Sequence, residues 1–78
     1  MLKVYTSPMC GPCHVLKNRI RSASEAGQEL PEHEIVDITK VDKATLPAGV
    51  RTIPTIVDEE TGDVFTGIQA TSERMGVK

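Results

Sequence analysis

Residues 2–20 read LKVYTSPMCGPCHVLKNRI and contain both cysteines of the chain. The cysteines lie where the pattern of apolar residues changes from that of a strand to that of a helix. Before the cysteines, Leu2–Thr6 is rich in β-forming residues and is short enough for a buried strand. Two prolines and a glycine interrupt that run, and apolar residues then recur every three or four positions, as on one face of a helix. Pro12 suits a first helical turn, where a backbone N–H would have no partner. The stretch therefore predicts a strand, a loop that ends at Cys10, and a helix that carries Cys13.

The rest of the chain predicts three further strands and a short closing helix. Gly27 is a plausible end for the first helix, and because one helix separates the first two strands, they should pair in parallel through a right-handed crossover. Residues 39–50 are less regular, and Pro47 and Gly49 would end any turn of helix there. The other predicted elements are strands at 33–38, Thr55–Asp58 and Val64–Thr66, a hairpin turn at 61–63, and a helix capped by Thr71 or Ser72.

The order of these elements is β-α-β followed by β-β-α. It predicts an α/β fold in which helices pack on one four-stranded mixed sheet. The chain has 78 residues, enough for one domain with a modest core, and it contains no internal repeat, linker or low-complexity tract. We therefore expect a single domain over residues 1–78.

Composition and charge exclude several classes of protein. The net charge is −2 with both signs mixed along the chain, so the basic stripe of a nucleic-acid-binding protein is missing. No stretch approaches the roughly 18 apolar residues that span a bilayer, and the N-terminus has neither the long apolar run nor the cleavage site of a signal peptide. We therefore expect a cytoplasmic protein with no nucleic-acid or membrane partner.

The motif C-x-x-C-H at residues 10–14 has three known uses, namely haem attachment, half of a zinc site, and the dithiol of a redox enzyme. Haem attachment needs export and a second axial ligand, and only 3% of the residues are aromatic. A structural zinc site needs four ligands, and the remaining candidates, His14 and His33, do not form a second close pair. Two cysteines without a special role are a further alternative. The sequence favours the dithiol, which needs neither a metal nor a bound cofactor.

The predicted positions of the two cysteines explain why a dithiol would be reactive. Cys10 falls where a strand ends and a helix begins, and there the free N–H groups and the positive end of the helix dipole stabilise a thiolate. Cys13 lies one helical turn later, near enough to close a disulfide and more shielded from solvent. Gly11 and Pro12 stiffen the loop between them. We therefore expect Cys10 and Cys13 to act as a pair.

A second signal is the stretch RTIPTIV at residues 51–57, in which Pro54 opens a strand. A proline there removes a hydrogen bond from a small sheet. A cis peptide bond between Ile53 and Pro54 would account for it, because cis bonds are nearly confined to proline. The alternative is an ordinary edge-strand proline. The cis form would leave the backbone of Ile53 free to pair with an extended substrate.

Together these stretches resemble the thioredoxin and glutaredoxin superfamily over nearly the whole chain. CGPC before a helix and the later GVRTIPTIV are similar to thioredoxin. VYTSPMC and EIVDI are similar to the opening of glutaredoxins and of the small glutaredoxin-like redoxins that serve ribonucleotide reductase. The resemblance implies a minimal thioredoxin fold in which Cys10 is the attacking nucleophile and Cys13 the resolving thiol. The other site residues that it implies are the substrate-binding Thr52, Ile53, cis-proline Pro54 and Gly67, and the motif-loop residues Gly11 and Pro12.

Several departures from the family patterns bear on how the resolving thiol is deprotonated and on the reductant that would regenerate the dithiol. Met9 stands where thioredoxins have Trp, Val4 where they have a buried Asp, and Ser7 where glutaredoxins often have a Lys that holds glutathione. Gln69 and Ala70 do not fit the Gly-Gly and paired acids of glutaredoxins. The resemblance therefore favours a thioredoxin reductase over glutathione as the electron source.

The function predicted on this basis is reduction of protein disulfides by dithiol exchange. The partners would be disulfide-containing proteins, such as ribonucleotide reductase, and the recycling reductase. A monomer suits a carrier that docks briefly with several proteins. Two alternatives remain, a glutathione-dependent glutaredoxin and a thioredoxin-fold binding module that uses the cysteines to hold a metal or a partner.

Overall fold

The computed structural model describes residues 1–42, 44, 46 and 52–77, and four strands and two helices lie within this part of the chain. The interpretation of Pro47 and Gly49 as the end of a helical turn falls outside these residues. The elements are β1 (Leu2–Thr6), α1 (Gly11–Glu25), β2 (His33–Asp37), β3 (Thr55–Asp58), β4 (Val64–Thr66) and α2 (Ile68–Met75).

The four strands form one mixed sheet in the order β2-β1-β3-β4. Strand β1 pairs in parallel with β2, with Val4 opposite Ile35, and antiparallel with β3, where Val4 faces Ile56. Strands β3 and β4 form the predicted antiparallel hairpin. The predicted α/β class and mixed sheet are confirmed, and the arrangement is consistent with a minimal thioredoxin-like fold.

Most predicted boundaries agree with the structure, and the bounds of β1, β3 and β4 are those predicted. Helix α1 begins at Gly11 and ends at Glu25, and Gly27 follows with φ 82°, in the left-handed region that ends a helix. Strand β2 ends at Asp37, one residue earlier than predicted. The carboxylate of Asp37 accepts hydrogen bonds from the backbone N–H and hydroxyl of Thr39, so a side-chain turn closes the strand there.

The predicted start of the closing helix is wrong. Helix α2 begins at Ile68 with Gly67 as its N-cap, so the predicted caps Thr71 and Ser72 lie inside the helix. Both are buried, and the hydroxyl of Thr71 donates to the carbonyl oxygen of Gly67 at 2.6 Å. Because the Thr71 hydroxyl bonds back to the preceding turn, it does not accept from the free N–H groups of the first turn, and Gly67 takes the N-cap position without a side-chain cap.

The hydrophobic core lies on one face of the sheet, where both helices pack. Helix α1 buries Cys13, Leu16 and Ile20, which lie along one stripe of its surface. The stripe anchors the N-terminal turn of α1 to the sheet, with Cys13 at its end. The buried core cluster contains Leu2, Val4, Leu16, Ile20, Ile56, Met75 and Val77.

Candidate active site

The two cysteines form a disulfide at the N-terminus of α1, with their Cα atoms 5.2 Å apart. Cys10 is the N-cap of the helix and has extended backbone angles, φ −105° and ψ 113°, while Gly11 and Pro12 open the first turn. Cys13 completes that turn. The change from strand to helix therefore brings the two predicted residues together.

The electrostatic surroundings of Cys10 favour negative charge on its sulfur. The backbone N–H of Cys13 donates to the Sγ of Cys10 at 3.2 Å, so the Cys10 side chain accepts the hydrogen bond that an N-cap residue normally accepts. The first turn of α1 contains no acidic residue that would compete for these N–H groups. A thiolate at this position would thus receive a backbone hydrogen bond and the positive end of the helix dipole.

The two cysteines differ in their access to solvent. Cys10 keeps 9% of its surface exposed, whereas Cys13 is fully buried among core residues. Met9, immediately before Cys10, is 91% exposed, and Gly11 and Pro12 are exposed as well. A large partner can therefore approach Cys10 from the loop side, whereas Cys13 presents no exposed surface.

The Ile53–Pro54 peptide bond is cis, as the sequence predicted. The carbonyl oxygen of Ile53 lies 3.6 Å from the Sγ of Cys10, so this segment borders the disulfide directly. Pro54 is buried, Ile53 is half-buried, and Thr52 is exposed. The hydroxyl of Thr55 donates to the carbonyl oxygen of Thr52 and holds the segment in place.

Gly67 lies next to this segment. Its N–H donates to the carbonyl oxygen of Pro54 at 3.0 Å, and its backbone has φ 90° and ψ 161°, a conformation that is essentially restricted to glycine. The space where a Cβ atom would stand is open. The structure thus places Gly67 beside Pro54, with room for a ligand backbone above it.

Ser7 has a structural role that the sequence did not predict. Its side-chain oxygen accepts the N–H of Met9 at 3.2 Å, and its carbonyl oxygen accepts the N–H of Cys10 at 3.2 Å. The residue is buried and shapes the loop that leads into the disulfide. The signal was present in the sequence, because a serine before a proline favours a side-chain-bonded turn.

Val4, Tyr5 and His14 flank the cysteine loop in the sequence. Val4, at the position where a thioredoxin would carry an acid, is fully buried in the core. Burial raises the pKa of Tyr5, so its phenol is neutral near pH 7. His14 is exposed, and its Nε2 lies 2.9 Å from the carbonyl oxygen of Pro8.

Two features of other classes of site are absent from the part of the chain that the structure describes. No cluster of three or more His, Cys, Asp or Glu side chains able to hold a metal ion is found among residues 1–42, 44, 46 and 52–77. Over the same residues, neither helix is long and apolar enough to cross a bilayer. Comparisons of the chain with protein-family models, curated proteins and solved structures found no match.

Proposed function

We propose that this protein is a thiol–disulfide oxidoreductase that reduces disulfide bonds in other proteins. One observation carries the proposal: a disulfide at a helix N-terminus joins Cys10, which keeps 9% of its surface exposed, to Cys13, which is fully buried. A purely structural disulfide does not require this difference in access. A two-step exchange reaction requires it, because one thiol must be accessible to the substrate and the other must react only after the mixed disulfide has formed.

In the first step the thiolate of Cys10 attacks one sulfur of the substrate disulfide. A bond forms between Cys10 and that sulfur, the substrate disulfide breaks, and the second substrate sulfur leaves as a thiolate that takes up a proton. The N–H of Cys13, which lies 3.2 Å from the Sγ of Cys10, supports the attacking charge.

In the second step Cys13 loses its proton and attacks the Sγ of Cys10 in the mixed disulfide. The bond between Cys10 and the substrate breaks, and the substrate leaves as its second thiol after protonation. The substrate has then gained two electrons and two protons, and the protein carries the Cys10–Cys13 disulfide seen in the structure. The buried position of Cys13 supports this order, since only the attached Cys10 is within its reach.

The segment beside the disulfide is suited to hold an extended substrate. The carbonyl oxygen of Ile53 points to the Sγ of Cys10 at 3.6 Å, and the exposed Thr52 precedes it. A substrate backbone that pairs with Thr52 and Ile53 would bring its cysteine to Cys10. The open space at Gly67 would take the neighbouring part of the same backbone.

The reductant that fits this chain is a thioredoxin-reductase-type protein rather than glutathione. Ser7, at the position where a glutaredoxin lysine would hold glutathione, is buried and its side-chain oxygen is used within the loop. Within the thioredoxin-like redoxins, we place this chain with the glutaredoxin-like carriers that donate electrons to ribonucleotide reductase, acting as a cytoplasmic monomer.

The proposal is tested by disulfide-reduction assays with two matched variants. The unmodified protein should reduce insulin, a protein with accessible disulfides, when NADPH and thioredoxin reductase are supplied. Cys10→Ser should abolish turnover without forming an adduct, whereas Cys13→Ser should stop at a covalent mixed disulfide visible by intact mass. Turnover that depends on glutathione and survives Cys13→Ser would instead identify a glutaredoxin. Absence of any turnover by the unmodified protein, with either reductant, would contradict the proposal.

A further inference from the structure

An open groove lies between α1 and α2 and begins beside the segment proposed to hold the substrate. Its volume is about 460 Å³, within the range of pockets that hold a small ligand or a few side chains. Ile68, which lines the groove, directly follows Gly67, whose N–H donates to the carbonyl oxygen of Pro54. A substrate backbone that passes Gly67 can therefore continue into the groove. The residues that line it are Arg19, Ile68, Gln69, Ser72, Glu73 and Val77.

The guanidinium of Arg19 is held in this groove with most of its donors unused. Its Nη1 donates to the hydroxyl oxygen of Ser72 at 3.0 Å, and Ser72 is buried, with 4% of its surface exposed. Arg19 is half-buried, and among the described residues it makes no ion pair and no second hydrogen bond. A guanidinium carries several N–H donors in a fixed fork, so most of them remain available to a ligand.

The other two arginines that the structure describes already have carboxylate partners. The Nη2 of Arg74 lies 3.3 Å from the Oδ2 of Asp58. The Nε of Arg21 lies 4.0 Å from the Oε1 of Glu25, one helical turn away. A guanidinium matches the two oxygens of a carboxylate in a bidentate geometry. The group that best complements the fixed side chain of Arg19 is therefore a carboxylate that a ligand brings.

We propose that Arg19 binds a carboxylate of the substrate protein, so that this protein prefers disulfides with an acidic residue nearby. This inference rests on the proposed function and names the class of substrate. Arg19 follows Cys13 by six residues on α1, which is about 9 Å along the helix axis. An extended backbone covers that distance in about three residues. The acidic residue should therefore lie about three positions from the substrate cysteine.

Glu73 gives the groove a second charge, and it should act against Arg19. It lies on α2 in the same groove and is exposed to solvent. Its carboxylate repels a bound carboxylate, whereas the guanidinium of Arg19 attracts it. Removal of the two charges should therefore change the substrate preference in opposite directions. A general effect on stability would not have this signature.

Two short synthetic peptides test the preference. Each has one cysteine in a mixed disulfide with β-mercaptoethanol, and they differ only in having Asp or Asn at the third position on either side of that cysteine. The protein is reduced beforehand and mixed with excess peptide, and its conversion to the disulfide form is followed by intact mass. The Asp peptide should reach the half-maximal rate at about fivefold lower concentration, with the same limiting rate. Added salt should reduce the difference, because it screens exposed charges.

Three variants assign the preference to the groove. Arg19→Gln removes the charge and keeps an amide donor, so it should raise the half-maximal concentration of the Asp peptide about fivefold and leave that of the Asn peptide unchanged. Arg21→Gln removes the same charge from the same helix outside the groove, and it should preserve the preference. Glu73→Gln should strengthen the preference for the Asp peptide. A preference that survives Arg19→Gln, or that Arg21→Gln reduces equally, would overturn the inference.

Measurements on the unmodified protein cover the case in which Arg19→Gln does not fold. Equal half-maximal concentrations for the two peptides, or a preference that added salt does not reduce, would contradict the inference. The same data separate the inference from the proposed function. If the reduced protein converts neither peptide, the proposed function fails, whereas equal conversion of both peptides refutes the role of Arg19 alone.

Discussion

Reduction of the Cys10–Cys13 disulfide should lower the free energy of unfolding by about 1–2 kcal/mol. The disulfide joins residues three positions apart, so it closes a loop of four residues in the unfolded chain. Loop-closure entropy for so short a loop stabilises the folded protein by about 2 kcal/mol. The effect is small compared with that of a disulfide that closes a long loop.

An opposing effect comes from the helix. A thiolate on Cys10 at the N-terminus of α1 is stabilised by about 0.3–1 kcal/mol in the folded protein, which favours the reduced form. Because loop closure exceeds this contribution, the oxidised form should remain the more stable one. For a domain of this size the difference corresponds to a melting temperature roughly 5–15 °C higher in the oxidised form. That order of stability is the one expected of a reductant.

Urea unfolding of the oxidised protein and of the protein in excess reductant measures the difference. The double variant with Cys10→Ser and Cys13→Ser is the control, and its midpoint should not respond to the reductant. A reduced form at least as stable as the oxidised form would refute the reasoning. The helix would then stabilise the thiolate by more than the loop stabilises the disulfide, as in a strong oxidant.

Three further predictions concern the surroundings of the site. Leu16→Ala should lower the free energy of unfolding by about 2–5 kcal/mol, because the side chain is fully buried. Val15 is half-exposed, so the control Val15→Ala should change the free energy of unfolding by about 0.5 kcal/mol or less. Urea unfolding compares the two variants. Gly67→Ala should cost about 1–3 kcal/mol from backbone strain alone, since its Cβ would meet open space, and an unchanged urea midpoint would contradict this. A hydrogen bond from the backbone N–H of Glu60 lowers the pKa of Asp58. The carboxylate should therefore stabilise the fold at pH values above the ordinary Asp pKa of about 3.9. That contribution is lost as the pH falls through the lowered pKa. Asp58→Asn should reduce the acid sensitivity of the melting temperature, and an unchanged pH profile would exclude this role.

The sequence predicted the parts of the fold that depend on local patterns. The β-forming run at Leu2–Thr6 and the helical stripe of Leu16 and Ile20 are patterns of a few residues, and they place Cys10 and Cys13 at a strand-to-helix junction. The cis bond before Pro54 was also predictable. A proline at the start of a strand removes a hydrogen bond from the sheet, and a cis peptide bond accounts for its presence there.

The parts that the sequence did not predict depend on what lies opposite a side chain. In the sequence Thr71 is a good candidate for a helix N-cap, but in the structure its hydroxyl donates to the carbonyl oxygen of Gly67. The buried hydroxyl of Thr6, which has no hydrogen-bond partner among the described residues, cannot be read from the sequence, because its burial is set by tertiary packing. The role of Ser7 in shaping the loop was predictable only in part. The serine before a proline is a local signal for the turn, but nothing local indicates that Ser7 is buried.

A redox titration tests the central claim most directly. The purified protein is equilibrated in graded thiol–disulfide buffers, trapped with an alkylating agent and weighed intact. We predict one reversible two-electron transition involving Cys10 and Cys13, with a potential nearer to about −270 mV, as in thioredoxin, than to the range of roughly −200 to −230 mV of glutaredoxins. No transition, a potential above the glutaredoxin range, or a mass that includes bound zinc or haem would contradict the proposal that this protein is a reducing dithiol carrier.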